Sequence, residues 1–250
     1  MIDHSKANSS PLLTHEFFAR SVYEVAPDLI GCYLFTTVGD ARVGGMIIET
    51  EAYRENDPFA HCFFNSEMKR PKSAERMCGP PGSLYFYYSG QFPCLNIACE
   101  HEGIGSAVLI RALLPVCGVD TMGDRRSAWY HQTNRALPKI FATESSKLRN
   151  LCNGPGVLCE ALGIVDAESL SASSIFSRPF ELRSGSVQLA LNSGIRIGLA
   201  AMRKRWTQNK DPRANWPSVN EFGQMKARWI AADFKQYCRH PSIAQQWTCC

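Results

Sequence analysis

Apolar and polar positions alternate most clearly along Val43–Tyr53 (VGGMIIETEAY), a stretch rich in apolar and β-branched residues, opening on Gly44-Gly45 and followed by polar turn residues. That pattern predicts a strand. Successive strand side chains point to opposite faces, so Glu49, Glu51 and Tyr53 share one surface and Ile48, Thr50 and Ala52 the other. Cys32–Thr37 (CYLFTT) predicts a partner strand, with Gly39-Asp40 as the hairpin turn. Ser83–Tyr88 predicts an aromatic strand with Tyr85 and Tyr87 on one face and Leu84, Phe86 and Tyr88 on the other. Pro93–Ala98 follows, with Asn96 opposite in face to Leu95 and Ile97. Ala107–Leu113 (AVLIRAL) carries a single charge, Arg111. Short turns between these runs predict a mostly antiparallel meander of about five strands.

Helical signals are weaker. Thr14 caps a short predicted helix, Glu16–Ser21, and Pro27 suits the first turn of a second that ends near Gly31. Thr143 caps Glu144–Leu151; Asn153-Gly154-Pro155-Gly156 breaks it, and Val157–Leu162 restarts. Gly118–Asn150 is otherwise a polar and basic region. Val187–Leu191 and Gly194–Leu199 read as a late strand pair. Ser218 and Glu221 form a capping box that opens a helix to about Tyr237, with Phe222, Met225 and Trp229 on one face. No linker rich in Gly, Ser or Pro divides the chain. The reading is α/β of the α+β type: residues 1–13 a flexible arm, 14–218 a single domain around a mostly antiparallel sheet with flanking helices, and 219–250 a C-terminal helical extension.

Charge adds one feature. The whole chain carries +4, but Arg196–Arg239 holds ten Lys/Arg against three Asp/Glu, which points to a polyanionic partner or to a solvated helix face. Eleven cysteines lack any C-x-x-C or zinc-ligand spacing, so no metal or cofactor is expected. Their odd number and the absence of a signal peptide favour buried thiols in a reducing compartment and a protein that is not secreted. No apolar run approaches membrane-spanning length, so no membrane partner is expected.

The candidate chemistry lies on the predicted strands. Glu51 and Tyr53 stand on one, Tyr85 and Tyr87 on another, Asn96 on a third and Arg111 on a fourth. Two like charges on one strand face disfavour double ionisation, which suits a general base. An aromatic slot with a carboxylate at its edge, on a basic protein, can hold a flipped base. Each part has a plainer reading: an edge strand with a solvated acidic face, tyrosines packed across strands, a satisfied buried amide, and an arginine pairing the carboxylates. The Asn153–Gly156 turn exposes backbone N–H groups suited to phosphate and is equally an ordinary helix connector.

Taken in order, ETEAY at Glu49–Tyr53, Ala60-His61, GPPGSLYFY at Gly79–Tyr87, CLN at Cys94–Asn96, VLIRAL-x-P at Val108–Pro115 and LCNGPG-x-LCEALGI at Leu151–Ile164 resemble the alkyladenine (3-methyladenine) DNA glycosylases. The resemblance spans roughly Thr14–Asn220. It implies a single mixed α/β domain around a curved antiparallel sheet, acting as a monomer on duplex DNA that contains damaged purines, in a nucleus or a bacterial cytoplasm. It implies that Glu51 activates the water that attacks C1′. Arg111 helps hold that water, together with a backbone carbonyl of the Arg196–Leu199 stretch. Tyr53, His61 and Tyr87 hold the base, and Asn96 clashes with the 2-amino group of guanine. DNA contacts fall to Tyr85, Tyr88, Lys72, Asn153, Gly154, Gly156 and Arg196. No lysine aligns as a nucleophile, which implies a glycosylase without lyase activity.

Three departures stand out. YFYYSG is one residue shorter than the family's Y-V-Y-x-x-Y-G: either Tyr88 is the wedge that fills the gap left by a flipped base, or that tyrosine is missing and Ser89 holds its place, with Phe92 as another candidate wedge. RPKSAE replaces T-x-R-N, which puts Lys72 at the phosphate. The helix after Ser218 and the Cys249-Cys250 end have no family counterpart. A lapsed enzyme that still binds duplex DNA is the competing expectation, and a thiol- or metal-dependent protein a third.

Overall fold

The structure, a computed structural model, describes residues 6–64, 69, 71–132, 143–171, 173–185 and 188–241. Among these, the strands are β1 (Tyr33–Thr36), β2 (Val43–Arg54), β3 (Leu84–Ser89), β4 (Phe92–Ala98), β5 (Ser106–Cys117), β6 (Phe180–Arg183), β7 (Leu191–Gly194) and β8 (Arg228–Ala231). The helices are α1 (Lys6–Ser9), α2 (His15–Phe18), α3 (Val22–Asp28), α4 (Val119–Gln132), α5 (Glu144–Asn150), α6 (Pro155–Leu162), α7 (Ala167–Leu170), α8 (Leu199–Gln208) and α9 (Pro217–Gln224).

β2 is central. β5 pairs along one edge; on the other, β1 pairs with Val43–Met46 and β8 with Glu49–Glu51, all antiparallel. The path β3-β4-β5-β2-β1-β6 differs from the expected meander, because β2 neighbours β5 and not β3. The hydrophobic alternation predicted the strands, but the long connection between β2 and β3 left their neighbours open. Gly45 is required by close packing: a Cβ there would lie 2.2 Å from the Leu114 carbonyl oxygen.

The two sheet faces differ. Ile48, Ala52, Leu84, Phe86, Leu95, Ile97, Val108 and Ile110 join the main core, together with Val22, Val25 and Ala26 of α3 and Leu158, Cys159 and Leu162 of α6. Thr50 Oγ1 donates to the Ala26 carbonyl at 2.8 Å, which tethers α3 to this face. Tyr85 and Ala107, on the opposite face, pack with Ala60, Cys62, Ala74 and Met77. A further cluster joins Phe59 to Leu199, Trp206, Ala214, Val219 and Phe222, so α8 and α9 are anchored on the loop that leaves β2.

Several local expectations are corrected. The cap of α3 is Ser21, while Thr14 makes no capping bond before α2, and Pro27 sits in the last turn of α3. The ring forbids one more helical hydrogen bond there, and the helix stops at Asp28. Of the arm expected at 1–13, residues 6–9 are helical, and Ser10 and Pro11 accept bonds from Arg183 and Ser184; Met1–Ser5 lie outside the described residues. The polar region after Gly118 contains α4, and β6 and α8 were also unforeseen. The late strand pair is β7 with β8; Leu199 begins α8, and Val187 lies outside the described residues.

The largest correction concerns the C-terminal helix. α9 starts at Pro217 and ends at Gln224; Arg228–Ala231 is a strand, and Ala232–Tyr237 is a 3-10 turn. Pairing with the open edge of β2 outweighs the local helical signal. Cys249-Cys250 lie outside the described residues.

Candidate active site

Register across the sheet assembles the site. Tyr85 faces Asn96, Asn96 faces Leu109, and Leu109 faces Glu51. Directly paired residues share a face, so these four side chains form one row across β3, β4, β5 and β2. Tyr53 lies one step along, opposite Ala107. Where Glu49 pairs with Ala112 and Thr50 with Ile110, the ladder skips Arg111. Bulges of this kind re-aim side chains beside functional sites; here the guanidinium reaches both carboxylates of β2.

Arg111 Nη1 donates to Glu51 Oε2 at 3.1 Å, and its Nε donates to Glu49 Oε1 at 2.9 Å. Glu51 Oε2 also accepts the Tyr53 hydroxyl at 2.9 Å, while Oε1 accepts the Ile197 amide at 2.6 Å. Glu51 is 0% exposed and Glu49 1%. A buried carboxylate on a central strand excludes the reading of an edge strand with a solvated acidic face. Burial lowers the affinity of Arg111 for its proton, but the charges of Glu51 and Glu49 outweigh this and raise it. Burial and the neighbouring Glu51 charge hold the Tyr53 phenol well above its ordinary value, so it remains a donor at neutral pH.

Arg196 is 2% exposed. Its guanidinium bonds Asp57, the Ala52 carbonyl at 3.0 Å and the Phe222 carbonyl at 3.2 Å, and lies over the Tyr53 ring at 4.6 Å from the centroid. This side chain braces the site from inside, whereas the sequence placed it at the DNA surface. Two of the ten basic residues in the C-terminal third, Arg196 and Arg228, are thus internal.

The aromatic residues gather around His61. Its Nδ1 hydrogen bonds the Tyr85 hydroxyl, and its ring meets Tyr87 edge-on at 5.3 Å. Burial and the Arg213 charge lower the His61 pKa, leaving a neutral imidazole at pH 7. Tyr85 is buried; Tyr87 and Tyr88 are exposed at the hairpin tip, Tyr88 by 44%. Phe92 is half-buried, and its Cβ would be 2.7 Å from a Cβ on Gly156, so α6 packs against it. Of the two candidate wedges, Tyr88 is the freer. Asn96 is buried and donates from Nδ2 to the Cys94 carbonyl at 2.8 Å, which fixes the orientation of its amide.

Lys72 is exposed at the start of the 3-10 turn Lys72–Cys78. Gly154 is the N-cap of α6, and Asn153 donates to the Asn150 side chain at 2.8 Å. The sequence missed Arg228, whose Nε donates to Glu49 Oε1 at 2.7 Å, and it took Asp57 only as a turn residue. The Ile197 amide was missed as well. A cavity of about 520 Å³ lies beside the site, lined by Ile195–Ala200 on one side and Val219, Asn220, Gly223 and Gln224 on the other. Tyr53, His61 and Tyr87 do not line it. Among the described residues, no group of three or more His, Cys, Asp or Glu could hold a metal ion, and eight of the nine described cysteines are buried.

The chain is similar to known proteins over most of its length. A protein of Rhodopseudomonas palustris strain BisB5, provisionally named 3-methyladenine DNA glycosylase, is 41% identical over 233 residues, 92% of this chain and 95% of that protein. Proteins with the same provisional name from Bradyrhizobium diazoefficiens and Agrobacterium fabrum are 42% and 38% identical, over 75% and 76% of this chain and 80% and 84% of their own length. The family model described as methylpurine-DNA glycosylase matches residues 16–211. With that match spanning all of the row Tyr85–Asn96–Leu109–Glu51, the bulge at Arg111 and the cluster around His61, this chain belongs to the methylpurine-DNA glycosylase family.

Proposed function

We propose that the protein is a monofunctional DNA glycosylase that initiates base excision repair. It takes 3-methyladenine, 7-methylguanine, hypoxanthine and ethenoadenine out of duplex DNA and hydrolyses the N-glycosidic bond. The observation that carries this reading is Glu51: a carboxylate with no solvent exposure, oriented by donors from β2, β5 and the Ile197 loop, in one row with Asn96 and Tyr85.

In the proposed reaction Glu51 takes a proton from a water held by Arg111 as its oxygen bonds to C1′. The carboxylate charge stabilises the oxocarbenium-like sugar that forms as the glycosidic bond lengthens. 3-Methyladenine and 7-methylguanine are cationic in DNA and depart neutral without an acid, so for them one carboxylate suffices where sugar hydrolases use two. Hypoxanthine and ethenoadenine are neutral and take up a proton from solvent as they leave. A cationic, electron-poor ring stacks well on aromatic faces, a role for Tyr53, His61 and Tyr87. Asn96 rejects guanine, Tyr88 fills the vacated stack, and Lys72 and the Asn153–Gly156 turn hold phosphates. The relatives are bacterial, and this enzyme acts as a monomer on DNA in the cytoplasm.

The test is to incubate the protein with methylated duplex and with duplexes carrying one hypoxanthine or one ethenoadenine. Free base is measured by chromatography and abasic sites by alkaline cleavage, with borohydride added in parallel. The expected result is free base, strands intact until alkali, and no trapped protein–DNA adduct. Tight duplex binding with no base released from any substrate would make the protein a binder and not an enzyme.

A further inference from the structure

The charges behind Glu51 form a line of alternating sign. Arg228 Nε lies 2.7 Å from Glu49 Oε1; the same oxygen accepts Arg111 Nε at 2.9 Å; Arg111 Nη1 reaches Glu51 at 3.1 Å. Two guanidiniums and two carboxylates balance, and all four residues are buried. Arg228 is 0% exposed and its Nη2 donates to the His240 carbonyl at 2.5 Å. Burial and the neighbouring Glu49 charge push the Cys238 thiol well above its ordinary value. Arg228 therefore sits too deep to touch DNA, and it lies beyond the residues 16–211 that the family model matches.

We infer that Glu49 and Arg228 are positioning residues: together they set the orientation in which Arg111 meets Glu51 and the attacking water. The inference rests on the proposed glycosylase reading. Arg111 can pair bidentately with one carboxylate or bridge two, and guanidinium geometry favours the bidentate fork. The Glu49 carboxylate draws Nε away and leaves one amino group for Glu51. Arg228 holds Glu49 Oε1 in place, and without it one guanidinium would serve two buried carboxylates. When Glu49 is replaced by Gln, Arg111 turns onto Glu51, occupies the face of the carboxylate that a water needs, and competes for its lone pairs.

Single-turnover base release and lesion-duplex affinity are to be measured for wild type, Glu49→Gln, Arg228→Met, Arg228→Lys and the double variant Glu49→Gln/Arg228→Met, on whichever lesion duplex the wild type cleaves. A misplacement of about 1 Å at a reacting group lowers rates on the order of a hundredfold. The expected result is a ten- to hundredfold slower chemical step, on that same scale, in Glu49→Gln and in the double variant, with affinity unchanged. The double variant is no slower than Glu49→Gln, because the two residues act as one unit. Arg228→Lys recovers part of the rate lost in Arg228→Met. Should Arg228→Met fail to fold, Glu49→Gln and the charge-balanced double variant carry the test. A wild-type rate in folded Glu49→Gln, or losses that multiply in the double variant, would overturn the inference. Absence of base release by the wild type would instead refute the glycosylase reading, and the two failures are separate.

Discussion

Replacing Tyr53 by Phe isolates one hydrogen bond. The hydroxyl donates to Glu51 Oε2 at 2.9 Å, while the ring, under the Arg196 guanidinium at 4.6 Å, is retained. A hydrogen bond to a charged group contributes about 1.5–3 kcal/mol, so the variant loses that much stability near pH 8. The loss depends on pH with a definite sign. The phenol in the unfolded chain ionises near 10.0, while burial and Glu51 hold it well above that in the folded protein. A raised folded value means the contribution is complete below pH 10 and falls as pH rises. By pH 11 the unfolded chain has gained about 1.4 kcal/mol from this one group. The gap between wild type and Tyr53→Phe should therefore narrow by about that amount between pH 8 and pH 11. Tyr85 and the buried cysteines titrate in both proteins and cancel. Urea unfolding at four or five pH values gives the two curves. Parallel curves would refute the reasoning, because they would show Tyr53 ionising equally in both states.

Three more outcomes are expected. Asp57→Asn leaves the Arg196 guanidinium buried without its counter-charge, both side chains having 0% exposure; a cost of about 3–5 kcal/mol is expected, read as a lowered thermal midpoint. Tyr88→Ala, at an exposed hairpin tip, should leave stability within about 0.5 kcal/mol yet reduce extrusion of the lesion, seen as a smaller fluorescence change of 2-aminopurine beside it. Gly156→Ala brings a Cβ to 2.7 Å from that of Phe92; the strain should cost about 1–3 kcal/mol in chemical unfolding and weaken duplex affinity by displacing the turn at α6.

The parts of the site that were legible in the sequence are those that local pattern controls. Strand alternation alone puts Glu49, Glu51 and Tyr53 on one face, and the same rule puts Tyr85 with Tyr87 and lifts Asn96 away from Leu95. A single arginine in the apolar run of β5 marks itself. What pattern could not reveal is contact between distant segments. Arg228 is 179 residues from Glu49, in a stretch whose Phe222, Met225 and Trp229 spacing imitates a helix. Pairing with the edge of β2 on one side and with β7 on the other turns it into a strand. Asp57 has the local signature of a turn residue, and its Arg196 partner is 139 residues away. The Ile197 amide is a backbone group and leaves no mark in composition. α4 escaped notice because its residues, VDTMGDRRSAWYHQ, lack a continuous apolar stripe. The basic excess of the C-terminal third was real as a sum, but it included two arginines that neutralise buried carboxylates and face no polyanion.

The central claim is that Glu51 activates the water. Glu51→Gln keeps a side chain of the same shape and removes the negative charge; its one carbonyl oxygen can still accept from Tyr53 and Arg111, while its NH2 group faces the Ile197 amide. The decisive measurement is single-turnover base release by this variant beside its affinity for the same lesion duplex. The account predicts binding like that of the wild type and release slowed by at least about a thousandfold, given the combined scale of general-base and charge-stabilisation effects. Release at the wild-type rate by a folded, DNA-binding Glu51→Gln protein would contradict it.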